Sequence, residues 1–256
     1  MINFIFDTLR LTDTFNTMNK YDVVNLVWKG NDKIKGLCKA SKSGHGSTIF
    51  DKLNPISYED FYQKLVIYTE QNKYTLDVYQ RGLTYEELIS LAQEFEENVK
   101  LLNPKISFTL ENYMDYIMYV NIIQTFDGHI NEVNLVNYIN KYWYKDAHKA
   151  SGELDSKYGI DILYKNNTRG IQVKSINFFL GNKSSTINDR KQIEPLKNIV
   201  KEKFGIDMKY AIYDRKCKQY LISSNNTPIF SFEEFNELLN ANDKKHPVFN
   251  YKKITV

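Results

Sequence analysis

The fold is decided by a stretch near the middle of the chain, GIDILYKNNTRGIQVKS, which spans residues 159–175. Apolar and polar residues alternate along both halves of it, and a period of two is typical of β-strands. On the first half, this alternation predicts that Ile160 and Ile162 face one way and Asp161 the other. The asparagines at 166–167 tolerate the positive φ angles of a tight turn. The stretch therefore predicts a β-hairpin.

The returning strand of this hairpin carries polar side chains that suggest chemistry. Ile171 and Val173 are predicted to face inward, whereas Gln172 and Lys174 face outward, across the pair from Asp161. Residues that face each other on paired strands have Cβ atoms about 4.5–5.5 Å apart. The hairpin is therefore expected to hold an acid, an amide and a lysine on one rigid face.

Helical patterns fill the chain before the hairpin. One helix is predicted over residues 58–72, a second begins at the capping box Thr84–Glu87 and stops before Pro104, and a third covers residues 110–126. The Asp-Gly pair at 127–128 is predicted to break the third helix. The N-terminal half is therefore predicted to be mostly helical.

The character of the chain changes at that pair, so we place the border of two regions there. Residues 1–126 are expected to form a helical region and residues 127–256 a second, core region, together in one compact unit. The core is expected to begin with a helix, INEVNLVNYINKYWY, whose buried side carries Val133, Val136 and Ile139 or Tyr138.

The segments after the hairpin complete the fold class. They comprise a polar loop, GNKSSTINDRK, a helix, two strands, KYAIYD and KQYLISS, and a last helix with the capping box Ser231–Glu234. Such an order predicts an α/β (α+β) fold with a mixed central sheet flanked by helices. The helix after the loop has the apolar stripe Ile193, Leu196, Ile199 or Val200, and Phe204.

Composition narrows the function only a little. The 256 residues include 34 Lys and Arg against 31 Asp and Glu, so affinity for nucleic acid would have to come from a local basic surface. Cys38 and Cys217 fit neither a disulfide framework nor a zinc cluster, and the four histidines lack metal-ligand spacing. The first residues lack a signal-peptide pattern, and no segment of the sequence is apolar enough to span a bilayer. We therefore expect a cytoplasmic protein that does not associate with a membrane.

An acid beside a lysine and an amide suits phosphodiester hydrolysis. Magnesium is held by one or two carboxylates together with water and phosphate oxygens, so Asp161 is a candidate for the ligand that bridges metal and scissile phosphate. Lys174 would stabilise the attacking nucleophile or the charge that develops on phosphorus. The backbone carbonyl of Val173 is a further candidate ligand for the metal.

These residues resemble a known family. Asp161, followed 13 residues later by Lys174 in Gln172-Val173-Lys174, resembles the PD-(D/E)xK nuclease signature in the variant with Gln at the second acid. The longer GELDSKYGIDILYKNNTRGIQVK is similar to the active-site region of TaqI-type restriction endonucleases, and the preceding TFDGHINEVNLVNYI to a helix of the MjaI type. The resemblance covers roughly residues 124–175 and implies a type II restriction endonuclease with a restriction-endonuclease-like core.

The resemblance also implies roles for individual residues. Asp161 would be the principal metal ligand, Lys174 the catalytic lysine, Gln172 the occupant of the second-acid position and Glu132 a supplementary carboxylate from the preceding helix. Two carboxylates sum to a charge of −2, which favours one tightly held Mg²⁺. The secondary candidates are carboxylates of the Glu-Leu-Asp element, Asp155 and then Glu153.

Taken singly, each of these residues also fits a structural role. Gln172 and Lys174 suit the solvated face of an amphipathic strand, and Glu132 near a helix N-terminus suits the helix dipole, a contribution of roughly 0.3 to 1 kcal/mol. Their order along the chain is what favours the catalytic interpretation.

The resemblance further implies double-stranded DNA as the substrate. The loop after the hairpin offers candidate contacts to DNA, namely Lys183, Arg190 and Lys191, although a merely solvated loop is also compatible. Residues 127–256 would then be the PD-(D/E)xK-like catalytic core, and the helical region 1–126 would serve dimerisation, DNA clamping or both. Cleavage of a short palindrome favours a homodimer, and a DNA methyltransferase would be the genetic partner. The alternatives are a structure-specific repair or recombination nuclease and a catalytically inactive DNA-binding protein on the same scaffold.

Overall fold

The chain consists of two compact units, Met1–Ile130 and Asn131–Val256. The computed structural model describes residues 6–21, 24, 27, 45–180, 191–215, 217–241 and 252–256. The first unit is helical, and the second contains a six-stranded mixed sheet with helices. A mixed α/β fold with a mostly helical N-terminal half is therefore confirmed. The units divide after residue 130. The sequence pattern predicted the border between residues 126 and 127.

The N-terminal unit begins its helices where the sequence predicts. The side chain of Ser57 accepts a hydrogen bond from the Asp60 N–H, and Thr84 and Glu87 form a reciprocal capping box.

None of the helices in the described ranges is both long and apolar enough to cross a membrane. The helices formed by the described residues are α1 (Thr8–Met18), α2 (His45–Leu53), α3 (Tyr58–Asn72), α4 (Val78–Arg81), α5 (Tyr85–Leu102), α6 (Leu110–Met118), the π-helix (Tyr119–Gln124) and α7 (Thr125–Tyr142), which continues into the second unit.

The predicted helix break at Asp127-Gly128 is wrong. Helix α7 runs through both residues, although glycine inside a helix costs roughly 1 kcal/mol relative to alanine. Tertiary contacts stabilise the helix at this point. The hydroxyl of Tyr58 donates a 2.6 Å hydrogen bond to Asp127, and the ring of Phe126 packs on Tyr58.

The core of the N-terminal unit lies between α5 and α6. Phe95 and Val99 of α5 and Tyr113 and Ile117 of α6 are fully buried, and the rings of Phe95 and Tyr113 meet at 5.3 Å between centroids. Within each helix the two residues are four positions apart, which places them on one face of the helix. The unit therefore has a hydrophobic core of its own.

The second unit is built around the sheet, whose strands lie in chain order. Strands β3 and β4 are parallel and the other neighbouring pairs are antiparallel. The strands are β1 (His148–Lys149), β2 (Ile162–Tyr164), β3 (Arg169–Ser175), β4 (Asp207–Asp214), β5 (Gln219–Leu221) and β6 (Lys253–Ile254), and the further helices are α8 (Glu153–Ser156), α9 (Asn177–Leu180), α10 (Ile193–Phe204) and α11 (Phe232–Ala241).

Both faces of this sheet are covered by apolar side chains. Alternate residues of β4 belong to two different clusters, which is the signature of a strand that is buried on both sides. Val200 of α10 and Phe235 of α11 are fully buried in one cluster, and Leu135 and Ile139 of α7 in the other. On α7 the buried stripe is therefore centred on Leu135 and Ile139 and not on Val133.

The predicted hairpin is confirmed. Strands β2 and β3 pair as antiparallel neighbours, with Ile162 facing Ile171. The turn between them contains three consecutive residues with positive φ: Lys165, Asn166 and Asn167. Asparagine adopts this left-handed region more readily than most residues, which explains its use in the turn.

Candidate active site

Asp161 lies at an irregularity just before β2. Its backbone N–H donates a 2.9 Å hydrogen bond to the carbonyl of Ile171, although Ile162 already faces Ile171 in the ladder. Two residues on one strand thus oppose one residue on the other, which is the pattern of a β-bulge. The bulge shifts the alternation, because Ile160 and Ile162 are buried in different clusters. The prediction that they share a face is therefore wrong.

The bulge presents the Asp161 carboxylate to the backbone of β3. Its Oδ2 accepts a 2.6 Å hydrogen bond from the Val173 N–H. Burial, with a smaller contribution from the charge of Asp155, raises the pKa of Asp161 to about 7, even though the Val173 N–H, Lys174 and Lys149 act to lower it. Val173 therefore helps to position the acid, and a ligand role for its carbonyl stays a prediction.

Glu132 is the second partly buried carboxylate of this region. Its side chain is 22% exposed, and its Oε2 lies 3.3 Å from the Nζ of Lys149. Burial raises the pKa of Glu132 to about 8, with a further contribution from the charge of Asp161, whereas Lys149 lowers it. The negative charge of Asp161 therefore disfavours ionisation of Glu132, the other carboxylate that the sequence assigned to the metal.

The backbone beside Glu132 is fixed by a buried tyrosine. Tyr220 of β5 is 1% exposed, and its hydroxyl donates a 3.0 Å hydrogen bond to the carbonyl of Asn131. Burial, followed by the negative charge of Glu132, raises its pKa well above the ordinary tyrosine value. Tyr220 therefore stays neutral, and its hydroxyl links strand β5 to Asn131 of α7, the residue before Glu132.

Gln172, which the alternation predicted to face outward, is buried, so the alternative of a solvated strand face does not apply to it. Its side chain is buried, with the residue 6% exposed, and its Oε1 has no hydrogen-bond partner within the described residues. The amide packs against Gly159, where a Cβ atom would lie 2.4 Å from the Gln172 Nε2. Gly159 also has a positive φ of 63°. A buried amide oxygen without a donor fits a site that is completed by water or a ligand.

Lys174, the predicted catalytic lysine, lies on β3 two residues after Gln172. It is partly exposed, its charge lowers the pKa of Asp161, and its Nζ lies 5.2 Å from the ring centroid of Phe178. A cation at that distance from an aromatic face is attracted by the ring. The aromatic contact therefore helps to orient the lysine.

The two secondary carboxylates of helix α8 are placed differently. The charge of Asp155 acts on both Asp161 and Glu132 and raises their pKa values. Glu153 instead forms exposed ion pairs, each 3.2 Å long, with Lys157 and Lys203. The structure thus brings Asp155, but not Glu153, to the principal acids.

The predicted DNA contacts are described only in part. Lys183 and Arg190 lie outside the described residues, and Lys191 is exposed just before α10.

Three residues of the site were not found by sequence reasoning. Lys149 lies on a two-residue strand that has no detectable pattern, and Tyr220 reads as an ordinary apolar residue of its strand. Gly159 precedes the Ile160-Asp161 pair, and its position before a strand was the one available signal. Lys149 pairs with Glu132, Tyr220 binds the backbone beside Glu132, and Gly159 packs against Gln172.

The donor set fits a magnesium ion in part. Asp161 and Glu132 offer hard carboxylate oxygens, and Mg²⁺ is commonly held by one or two carboxylates while water and phosphate complete its coordination. A cation would relieve the repulsion and desolvation that raise both pKa values. Within the described residues, no three acidic, histidine or cysteine side chains converge closely enough to hold a metal by themselves.

A separate cavity of about 380 Å³ lies within the N-terminal unit. None of the candidate site residues borders it. Its walls combine apolar side chains of α3 and α5, such as Leu65 and Leu88, with Asn121 of the π-helix and a rim that includes Glu70 and Glu86.

Formal charge is distributed unequally between the two units. The C-terminal unit contains 21 Lys and Arg against 14 Asp and Glu, which gives +7. The N-terminal unit contains 13 against 17, which gives −4, so the two add to the +3 of the whole chain. The unit with the candidate site is therefore the basic one.

Comparisons of this chain with protein-family models, with curated proteins and with solved structures find no match.

Proposed function

We propose that this chain is a Mg²⁺-dependent endonuclease that cuts double-stranded DNA at specific sites, as a type II restriction enzyme does. The observation that carries the proposal is that, at the bulged hairpin where the Val173 N–H holds Asp161, the charge of Asp161 acts on Glu132 and the charge of Lys174 acts on Asp161. The sequence resemblance to PD-(D/E)xK nucleases supports it.

Each residue has a distinct task in this proposal. Asp161, oriented by the Val173 N–H, and Glu132, paired with Lys149, would hold the metal. Lys174 would stabilise the negative charge that develops on the phosphate oxygens in the transition state. Gln172 would accept a hydrogen bond from a water at the site through its free Oε1.

A bound Mg²⁺ supplies Lewis-acid polarisation of the phosphate oxygens and favours ionisation of a nearby water. The protein contributes by keeping both carboxylates ionised and correctly oriented while they bind it. The low exposure of Glu132 strengthens its interaction with any cation, because solvent screens the charges less.

The charge distribution supports DNA as the substrate. A net charge of +7 on the unit with the candidate site attracts a polyanion and steers it towards that unit. We propose that this unit carries the DNA contacts, including Lys191, and that the acidic N-terminal unit contributes to a homodimer that matches a palindromic target. A methyltransferase that protects the host DNA would accompany such an enzyme.

Incubation of the purified chain with unmethylated phage DNA and Mg²⁺ tests this proposal. Discrete fragments that are absent in EDTA and absent with Asp161→Asn are the expected result. Smearing, or nicking confined to junctions, would instead indicate a repair or recombination nuclease. Retarded but uncut DNA would indicate a catalytically inactive DNA-binding protein, an outcome with which an amide in place of the second acid is compatible.

A further inference from the structure

A surface at the end of helix α7 combines aromatic rings with lysines. We propose that it binds single-stranded nucleic acid by stacking unpaired bases on its tyrosine rings. This inference goes beyond the endonuclease proposal, because it concerns unpaired bases and requires neither Mg²⁺ nor cleavage. The residues of this aromatic-lysine surface are Tyr138, Lys141, Tyr142, Trp143, Tyr144 and Lys145.

Three of the rings form one group, and two tyrosines are largely open to solvent. The rings of Tyr138 and Tyr142 have centroids 4.7 Å apart, and those of Tyr138 and Trp143 meet edge to face at 5.3 Å. Tyr142 is nevertheless 56% exposed, and Tyr144 is 38% exposed. Exposed apolar residues that are scattered singly are ordinary, whereas a group of exposed rings suggests a binding surface.

Hydrogen bonds hold the backbone that carries the last of these rings. The N–H groups of Trp143 and Tyr144 donate to the carbonyl of Ile139 at 2.8 and 3.0 Å. The side-chain amide of Asn140 makes two 2.8 Å hydrogen bonds with the backbone of Ala147. A segment that is fixed in advance loses little conformational entropy on binding. The rings are therefore presented to solvent on a pre-organised segment.

Lysines accompany the rings. The Nζ of Lys141 lies 5.0 Å from the ring centroid of Tyr142, and Lys141 and Lys145 are both exposed. One carboxylate is adjacent in the chain, that of Asp146, and it accepts hydrogen bonds from two backbone N–H groups of the hairpin turn. The surface thus carries two positive charges beside its rings, in a unit whose formal charge is +7.

An unpaired nucleotide matches this combination. Its base offers a flat face that stacks on an aromatic side chain, and its phosphate is attracted by lysine. The bases of a duplex are already stacked on one another, so this mode of binding requires a single strand or a base turned out of the helix. Lysine is depleted at the centre of protein–protein interfaces, which favours nucleic acid over a protein as the partner.

Two strands of equal charge separate stacking from electrostatic attraction. The probes are a short oligothymidylate and a strand of the same length in which every nucleotide is abasic. Affinities are measured by fluorescence anisotropy in EDTA, so that cleavage does not interfere. We expect the wild-type chain to bind oligothymidylate at least about fivefold more tightly than the abasic strand, the effect of stacking one base on an aromatic ring.

Substitutions assign this preference to the rings. Tyr142→Ala should lower the affinity for oligothymidylate at least about fivefold and leave that for the abasic strand unchanged, whereas Tyr142→Phe should bind as wild type does. Lys141→Ala should weaken the binding of both strands by a similar factor, because it removes charge and no ring. Tyr142→Leu replaces the Ala variant if the latter melts below the assay temperature.

Tyr74→Ala is the matched control. Tyr74 is 91% exposed in the N-terminal unit, and the Nζ of Lys73 lies 5.3 Å from its ring centroid, so it reproduces the tyrosine–lysine pair outside the proposed surface. Its substitution should leave the affinity for both strands unchanged.

The outcomes also separate this proposal from the endonuclease proposal. Equal affinity of the wild-type chain for the two strands, or an unchanged affinity of Tyr142→Ala for oligothymidylate, overturns the stacking role and leaves the endonuclease proposal standing. Conversion of a dimer to a monomer by Tyr142→Ala without any change in that affinity would identify the surface as an interface between copies, and the stacking proposal would be wrong. A wild-type chain that prefers oligothymidylate but leaves duplex DNA uncut supports stacking and overturns the endonuclease proposal alone.

Discussion

Asp161 experiences two opposing influences. Burial favours its neutral form, whereas the Val173 N–H at 2.6 Å and the charge of Lys174 favour the carboxylate. A residue held between these influences is sensitive to any further cation. This is the physical reason for assigning it the central role in the proposed reaction.

Removal of either principal side chain should abolish cleavage without unfolding the chain. We expect Asp161→Asn and Lys174→Met each to lower the rate by at least about 10²-fold, the usual effect of removing one group that stabilises transition-state charge. Asp161→Asn keeps an oxygen that can accept from the Val173 N–H, so its melting temperature should not fall. Rates on phage DNA and circular dichroism melts check both effects.

Glu153→Gln is the matched control for these variants. Glu153 is a carboxylate of the same unit that pairs with surface lysines, so its substitution should leave the rate unchanged. Wild-type cleavage by Asp161→Asn or Lys174→Met would show that the site has been assigned to the wrong residues.

The raised pKa values predict how the metal-free chain responds to pH. Glu132 and Asp161 have pKa values of about 8 and about 7 in the folded chain. In the unfolded chain they titrate near about 4, so the unfolded chain loses its protons first. The free energy of unfolding should therefore fall as pH rises from about 4 to about 8.

Melting temperatures in EDTA and in Mg²⁺ across this pH range check that prediction. Mg²⁺ should raise the melting temperature more at pH 8 than at pH 5, because it binds the ionised carboxylates. Glu132→Gln should weaken both the pH dependence and the effect of Mg²⁺. A metal-free melting temperature that rises towards pH 8 would contradict the burial of these acids.

At the scale of elements, the hairpin and its bulge position the site. The bulge places Asp161 beside the backbone of β3, where its N–H donates to the Ile171 carbonyl. The bend before the bulge places Gly159 against the Gln172 amide. The close contact between this bend and the Gln172 amide requires glycine at position 159. A Cβ atom there would displace the amide, which is the flexible partner in the contact.

Gly159→Ala should therefore impair function more than stability. Its left-handed backbone costs roughly 1–2 kcal/mol for an L-residue, and displacement of Gln172 should lower the cleavage rate by about 10²-fold. Gly205→Ala is the control, since Gly205 also has a positive φ and a Cβ atom there meets nothing within 4 Å. Equal losses of activity in the two variants would show that the contact with Gln172 is unimportant.

Sequence reasoning succeeded where local rules govern an element. Capping boxes located the starts of α5 and α11, and asparagines located the hairpin turn. It failed where tertiary contacts decide. The period of two could not anticipate the bulge at Asp161, and the hydrogen bond from Tyr58 that supports α7 at Asp127 comes from 69 positions away.

The sequence singles out Glu132, Asp161 and Lys174 by their order along the chain, and their catalytic roles stay predictions. In the structure the charge of Asp161 acts on Glu132 and that of Lys174 acts on Asp161. Lys149 and Tyr220 were missed, because each takes its part through a contact with α7 that no sequence period encodes.

Across the whole molecule, the two units differ in the sign of their net formal charge. The N-terminal unit has a formal charge of −4, which would repel a DNA backbone, and the C-terminal unit has +7, which would attract the DNA of the proposed reaction. This asymmetry favours protein contacts over DNA clamping as the role of the helical half.

Salt dependence of DNA binding should therefore report on C-terminal lysines alone. Lys191→Ala should reduce the slope of log affinity against log salt concentration by about 1, the value for one lost phosphate contact. Lys105→Ala removes an exposed charge from the N-terminal unit and should leave the slope unchanged. Filter-binding titrations at several salt concentrations provide the measurement, and equal slopes for both variants would contradict the assignment.

The hairpin also has a consequence for how the chain acquires its native state. Asp161 and Val173 are 12 positions apart and joined by a tight turn, whereas the paired residues of β3 and β4, such as Arg169 and Asp207, are separated by 38. Hairpins close within about 1–10 μs, and pairings between distant segments follow more slowly because of their higher contact order. During synthesis and refolding, the aspartate and its amide donor would therefore meet early, before the parallel half of the sheet has formed.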